Sequence, residues 1–494
     1  MKANSWGWLR LFRIRPVARS VCKVLRLPCA ALILIAGTAG ADTLPLPIAR
    51  TLDSLDIPYE DVSILVRELD AEESLLSYAP GTPRNPASVM KVVTTWSALG
   101  LLGPAYTWPT EVYFLGDFDG ERLYGDLAIK GYGDPFLVIE HYWNLLRQLR
   151  RLGLNDIEGD LILDSSHFDI PELDPGAFDG QPYRTYNVIP NALLVNFKAM
   201  QFFFLADPAG RRVLVTSDPE LPNLSIRNRL TLDDGPCRGY QGGISFNITD
   251  PDEISQVVFE GAFPTRCNSY SLSRTVLQHD TYTYGLFRSL WNDLGGTLQG
   301  RLENSVVPED ATLALTWRSP PLGEVIRSIN KNSNNVMTRQ VLLTLGAEHR
   351  SVPGTEANGI EVVHEYLDEL GLHDGSLVVV NGAGLSRESQ ISAGMLTDIL
   401  HFAARDVYAP EFIASLSIAG LDGTTRGRYD DAAGNGVMHV KTGRLDHVSA
   451  LAGYVHADDG KTYSLVVFTN TPEAHRGLGQ EVEEAVLRWL HDEI

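Results

Sequence analysis

Basic residues are scarce in this chain. Its 494 residues hold 41 Lys and Arg against 62 Asp and Glu, a formal net charge of −21. The imbalance is concealed at the start. Residues 1–41 carry seven bases (Lys2, Arg10, Arg13, Arg15, Arg19, Lys23 and Arg26) and no acid, so without them the charge moves from −21 to −28. So acidic a remainder argues against nucleic acid and anionic membrane surfaces as partners. Metal-ligand spacings are missing: there is no His-Glu-x-x-His and no Cys-x-x-Cys, so no metal or cofactor is expected. Gly-x-Ser-x-Gly is also absent, which disfavours a Ser-His-Asp hydrolase and leaves the twelve histidines to surface or structural roles.

Long apolar runs are lacking too. The run Leu27 to Ala36, after the basic segment and before Ala39-Gly40-Ala41, is too short for a stable span. Basic segment, short apolar core and small-x-small end together read as a secretory signal over residues 1–41, with an uncleaved anchor as the alternative. Nothing later approaches the ~20 apolar residues of a transmembrane helix, so no anchor is expected after cleavage. Of only four cysteines, Cys22 and Cys29 leave with the signal. Export makes a disulfide between Cys237 and Cys267 the expectation, worth roughly 3–4 kcal/mol on a chain-entropy argument. Two buried free thiols are the alternative reading.

What is present has a clear order. After a lead-in over 42–60, Val62 to Leu69 and Ser74 to Tyr78 form a hairpin pattern. Asn85-Pro86 then start a helix through Leu99, ending at Gly100 or Gly103. Strands are expected at Thr110 to Leu115 and Leu123 to Lys130, and a helix at Phe136 to Leu152. A β-rich, irregular stretch follows over 165–280. Helical spacing returns at Gly285 to Leu294, Pro321 to Asn330, Val336 to Leu345 and Thr355 to Leu370, with a strand at Leu377 to Val380. Val437 to Val440, Ser449 to His456 and Thr462 to Asn470 read as three antiparallel strands. A last helix stripes Leu478, Val482, Ala485, Val486, Trp489 and Leu490 toward that sheet. An early hairpin completing a late meander makes the two ends one domain, 42–105 with 283–494, and residues 106–282 a β-rich insertion.

Three short motifs carry chemistry. Ser88-x-x-Lys91 puts a hydroxyl at a helix start with an amine one turn on, a plausible activated nucleophile. Ser333-Asn334-Asn335 lies in a loop between two expected helices, with Ser333 opening the second. Lys441-Thr442-Gly443 ends a strand. Each alone is weak, since Ser-x-x-Lys recurs at Ser20 to Lys23 and at Ser328 to Lys331.

In this order, however, the three resemble the active-site serine penicillin-recognising enzymes, the D,D-peptidases and serine β-lactamases. Further stretches narrow the resemblance to the class C low-molecular-mass D-alanyl-D-alanine carboxypeptidases of the peptidase S13, penicillin-binding protein 4 type. These are Asn85 to Lys91, Gly131 to Pro135, Asn381 to Arg387, Ala419 to Thr424 and Val440 to Val455. Asn381, Ala383 and Arg444 depart from the usual Asp, Ser and small hydroxyl residue. The resemblance implies an α+β fold: an antiparallel sheet flanked by helices, with the insertion between the first two motifs. It implies Ser88 as nucleophile, a neutral Lys91 as its base and Ser333 as a proton relay bridging Lys91 and the leaving nitrogen. Asn335 would hold the substrate amide, and Lys441 and Thr442 the terminal carboxylate. Gly443 would clear the strand for backbone approach, and the N–H groups of Ser88 and Leu445 would form the oxyanion hole. Implied partners are peptidoglycan stem peptides ending in D-Ala-D-Ala, and β-lactams, in the periplasm. A β-lactamase, or an inactive wall-binding scaffold on the same fold, are the competing readings.

Overall fold

The early hairpin and the late strands meet in one sheet. In the computed structural model, which describes residues 43–249, 255–267, 269–429, 436–458 and 460–493, six strands lie in the order Ser417–Ile418, Met438–Leu445, Val448–His456, Thr462–Thr469, Val62–Glu68 and Ser74–Tyr78. All neighbours are antiparallel. Near-continuous apolar runs such as Val448–His456, buried at every position but the last, fit a sheet covered on both faces.

One face packs Val440, Leu451, Leu465 and Val467 against the helices Leu46–Ser54 and Leu478–Glu493. The expected stripe is the buried side of the last helix, at Val482, Ala485, Val486, Trp489 and Leu490. Residues 46–54, read only as a lead-in, are helical. The other face carries Ala450, Ala452, Tyr454, Val466 and Phe468 into a core built with the helices Met90–Leu102, Leu322–Asn332, Asn335–His349, Glu356–Glu369 and Ala393–Arg405. Ala393–Arg405 and Ala409–Ser415 were not anticipated, although Ser392 is a plain start signal: its Oγ accepts from the Met395 N–H at 2.9 Å. The expected strand at Leu377 to Val380 reduces to an isolated bridge between Val378 and Gln390.

A second core lies in the middle of the chain. The hairpin Pro109–Phe118 and Arg122–Gly131 heads a seven-stranded mixed sheet, and two three-stranded sheets pack nearby with the helices Ile139–Arg151 and His279–Asp293. The expected return to the catalytic domain at residue 283 falls inside that second helix, whose Tyr282, Leu286, Phe287 and Trp291 all belong to this core. Pairing continues further, because Thr312–Arg318 lies antiparallel to Pro109–Phe118, with Arg318 opposite Pro109. Just beyond this pair, the Ser319 N–H donates to the Trp108 carbonyl and the Trp108 N–H to Ser319 Oγ, both at 3.0 Å. Helical spacing over Gly285 to Leu294 leads from sequence to an expected return to the first core. The side chains of that helix instead fill the middle core.

The signal read over residues 1–41 lies outside the described residues. Among the described residues no helix is long and apolar enough to cross a membrane. Cys237 and Cys267 form a disulfide, with Cα atoms 5.4 Å apart, as fits a protein of an oxidising compartment.

Candidate active site

Ser88 stands at a tight entry to a helix. Asn85 Oδ1 accepts from the Ala87 N–H at 2.9 Å, and Asn85 Nδ2 donates to the Ser386 and Arg387 carbonyls. Asn470 grips the Asn85 backbone from the sheet side. Asn85 therefore pins a turn rather than capping an α-helix. Ala87–Val89 is a 3₁₀ turn, Ala87 has φ 45°, and the α-helix proper runs Met90–Leu102 before Gly103 at φ 76°.

Lys91 lies on the first turn of that helix and has no solvent exposure. Its Nζ donates to Ser88 Oγ at 3.0 Å, Asn335 Oδ1 at 2.7 Å and the Ala383 carbonyl at 2.6 Å. Burial first, then the nearby Lys441 charge, hold its amine well below the ordinary lysine value. None of its three acceptors is a carboxylate, so nothing here favours the charged form by ion pairing. The Ala383 carbonyl was not singled out from sequence. It comes from the loop Asn381 to Arg387, where Gly382 and Gly384 adopt φ 68° and 71°. A Cβ at Gly384 would fall 1.8 Å from the Ala87 carbonyl oxygen, so this loop must pass against the Ser88 turn without a side chain.

The middle motif differs from expectation in its wiring. Ser333 does not open a helix. It ends Leu322–Asn332 in the left-handed region at φ 54°, and Asn334 caps Asn335–His349 by accepting from the Met337 N–H. Ser333 Oγ accepts from Lys441 Nζ at 2.9 Å, whereas the hydrogen bonds of Lys91 go to Ser88, Asn335 and Ala383. Asn335, expected to await substrate, uses Oδ1 for Lys91 and donates from Nδ2 to the Tyr186 carbonyl at 3.0 Å. Tyr186 belongs to the middle of the chain, so a segment of that region touches the site. Its anchor is partly visible, since Asn191 and Gln340 exchange hydrogen bonds at 3.1 and 2.9 Å.

Lys441-Thr442-Gly443 lies inside the strand Met438–Leu445 rather than at its end. Lys441 is fully buried, and burial pushes its amine down to about 7. Beyond Ser333 it donates to the Thr442 carbonyl at 2.7 Å. That carbonyl therefore faces the site. The outer strand Ser417–Ile418 pairs only with His439 and Val440, and alternation along the stretch beyond them turns the Arg444 N–H the same way as that carbonyl, in place of the expected Leu445, which closes the hairpin opposite Val448. Thr442 Oγ1 lies 2.7 Å from Thr424 Oγ1, a partner that sequence reasoning did not name. Asp422, two residues before Thr424, is paired with Lys331 at 2.6 Å. A Cβ on Gly443 would meet the Pro86 carbonyl oxygen at 2.3 Å and the Ala87 Cβ at 3.1 Å. Gly443 thus serves the approach of the Ser88 turn itself.

Three distant segments accordingly converge on one pair of buried amines and two serine hydroxyls, an arrangement suited to nucleophilic acyl transfer. Comparison with known proteins agrees. The sequence model of the D-Ala-D-Ala carboxypeptidase 3 (S13) family matches residues 47–492. The chain is 28% identical over 473 residues to a D-alanyl-D-alanine carboxypeptidase of an Actinomadura species, covering 91% of this chain and 87% of that one. Penicillin binding protein 4 (dacB) from Haemophilus influenzae superposes with a TM-score of 0.75 at 21% identity, covering 90% of this chain and 99% of that one. A form complexed with a novel β-lactam gives 0.70. A predatory endopeptidase from Bdellovibrio bacteriovorus gives 0.53 at 15% identity, covering 87% of this chain and 93% of that one. The fold is thus that of penicillin binding protein 4, mixed α+β with extra sheets beside the six-stranded one. With the family match running from the first described helix to the last, the chain belongs to the serine-type D-Ala-D-Ala carboxypeptidases of the S13 family.

Proposed function

We propose that this chain is a periplasmic D-alanyl-D-alanine carboxypeptidase that also cleaves peptidoglycan cross-links as a D,D-endopeptidase, through an acyl-enzyme on Ser88. The observation that carries the reading is the buried Lys91 amine 3.0 Å from Ser88 Oγ. Neutral Lys91 takes the Ser88 proton as Oγ attacks the carbonyl of the penultimate D-Ala. General-base help of this kind contributes typically 10²–10⁴-fold. The N–H groups of Ser88 and Arg444 receive the oxyanion, each donor worth about 2.7–4 kcal/mol. The proton held on Lys91 then passes to the departing nitrogen by way of the Ser333 hydroxyl, which returns Lys91 to its neutral form while Lys441 stays charged. Protonated Lys441 and Thr442 hold the terminal carboxylate of the leaving D-Ala, and water then hydrolyses the ester. A β-lactam enters by the same attack, but its leaving group stays tethered, so the ester persists. The roles of Ser88, Lys91, Ser333, Asn335, Lys441, Thr442 and Gly443, and a functional division between the sheet-and-helix domain and the middle region, belong to this proposal.

Fluorescent penicillin tests it. Stable labelling of the wild type and none of Ser88→Ala is the expected outcome. Rapid turnover of the drug would indicate a β-lactamase, and absence of labelling a scaffold.

A further inference from the structure

Next to the Lys441 strand is a cavity of about 210 Å³ lined by Arg428, Arg444, Ser449, His475, Arg476 and Gln480, among others. Two of its three guanidiniums are already compensated. Arg428 lies 3.3 Å from Glu483, and Arg476 lies 2.8 Å from Glu473. The carboxylate of Asp446 faces His475 at 3.6 Å and pairs with Arg387 at 3.2 Å. Arg444 is exposed, and among the described residues no carboxylate pairs with it. In a chain of net charge −21, a guanidinium without a carboxylate partner makes a local exception. The helix Leu478–Glu493 begins at the same cavity and adds the positive end of its dipole.

Position gives the cavity a meaning. Thr442 and Arg444 are two apart on one strand, so their side chains leave the same face, roughly 7 Å apart along the chain. The proposed function places the carboxylate of the departing residue on Thr442, and the present inference rests on that reading. A second anion on the departing group would then come within reach of Arg444. We infer that Arg444 and the cavity behind it form a leaving-group subsite for a second carboxylate. The substrate class it selects is peptides whose released portion is itself acidic, as when a stem peptide bearing further carboxylates is freed from a cross-link. A planar guanidinium suits a carboxylate in two-point contact, which the usual small hydroxyl residue at this position cannot offer.

Two peptides with one acyl portion test this, one releasing D-alanine and the other D-glutamate. Wild type is expected to favour the acidic leaving group by about 10-fold in kcat/KM, chiefly through KM. That ratio should collapse toward unity in Arg444→Ala and in Arg444→Thr, and survive in part in Arg444→Lys. The penicillin acylation rate of each variant reports whether its Ser88 site is assembled, and two small replacements guard against one misfolding. Wild-type cleavage of both peptides without preference, or a preference that persists in acylation-competent Arg444→Ala, overturns the subsite while leaving the peptidase reading intact. Cleavage of neither peptide, with no penicillin uptake, overturns the peptidase reading and the subsite with it.

Discussion

Lys91 and Lys441 are both buried, yet the proposed chemistry asks them for opposite charge states. Lys91 must be neutral to accept the Ser88 proton, and its burial together with the neighbouring charge drives it that way. Lys441 must be charged to hold a carboxylate, and burial alone has brought it down to about 7. The sign of the pH dependence follows. Raising the pH frees Lys91 on the acid side, and raising it through about 7 strips the proton from Lys441 and weakens carboxylate capture. The expected profile of kcat/KM for a D-Ala-D-Ala peptide is therefore a bell whose alkaline limb falls near neutrality, and since kcat/KM reports the free enzyme, that limb belongs to Lys441. Lys441→Arg, which stays charged, should lose the alkaline fall even if its overall rate is lower. A limb that stays in place in that variant would refute the assignment. At this scale the sequence named both amines by motif. It could not show that Ser333 pairs with Lys441 and Asn335 with Lys91, because those partners are chosen by how the helices pack.

Among elements, the turn Ala87–Val89 and the strand Met438–Leu445 are pressed together with no spare volume. Gly443 is required by contact with Pro86 and Ala87 rather than by an unusual φ. Gly443→Ala should push the two apart. Overpacking of this kind costs about 1–3 kcal/mol, and a displacement near 1 Å at reacting groups costs about 10²-fold in rate. Penicillin acylation should fall by about that factor while the melting temperature drops by only a few degrees. Unchanged acylation would mean that the strand and the turn can move independently of the chemistry. The late strands were legible because apolar runs bounded by turn residues have few other readings. Their extent was not: the strand was expected to stop at Val440, but it runs on through Lys441, Thr442 and Gly443, since pairing with Val448–His456 outweighs the weak strand preference of glycine and charged residues.

Taken whole, the molecule keeps its stapled part apart from its reacting part. Cys267 is packed in the middle core, with Phe259, Phe263 and Leu272, whereas Lys91 and Lys441 are carried by the sheet-and-helix core. Replacing both cysteines, Cys237→Ser with Cys267→Ser, should lower stability by roughly 3 kcal/mol in denaturant unfolding while penicillin labelling of the folded protein persists. Loss of labelling in the folded double variant would show that the staple reaches the site, through Tyr186 and Asn335. The sequence by itself determined which groups are candidates for the chemistry and in what order they come, and also the closing of the early hairpin onto the late strands. The strands follow from local pattern, and the candidate groups from three motifs that are weak singly and resemble one family only in their order. Tertiary structure alone decided the partner of each amine, the direction of the Arg444 N–H, and the packing of Tyr282, Leu286 and Trp291 into the middle core. Each of these is set by contacts between residues far apart in the chain, and no local pattern encodes a distance across the fold.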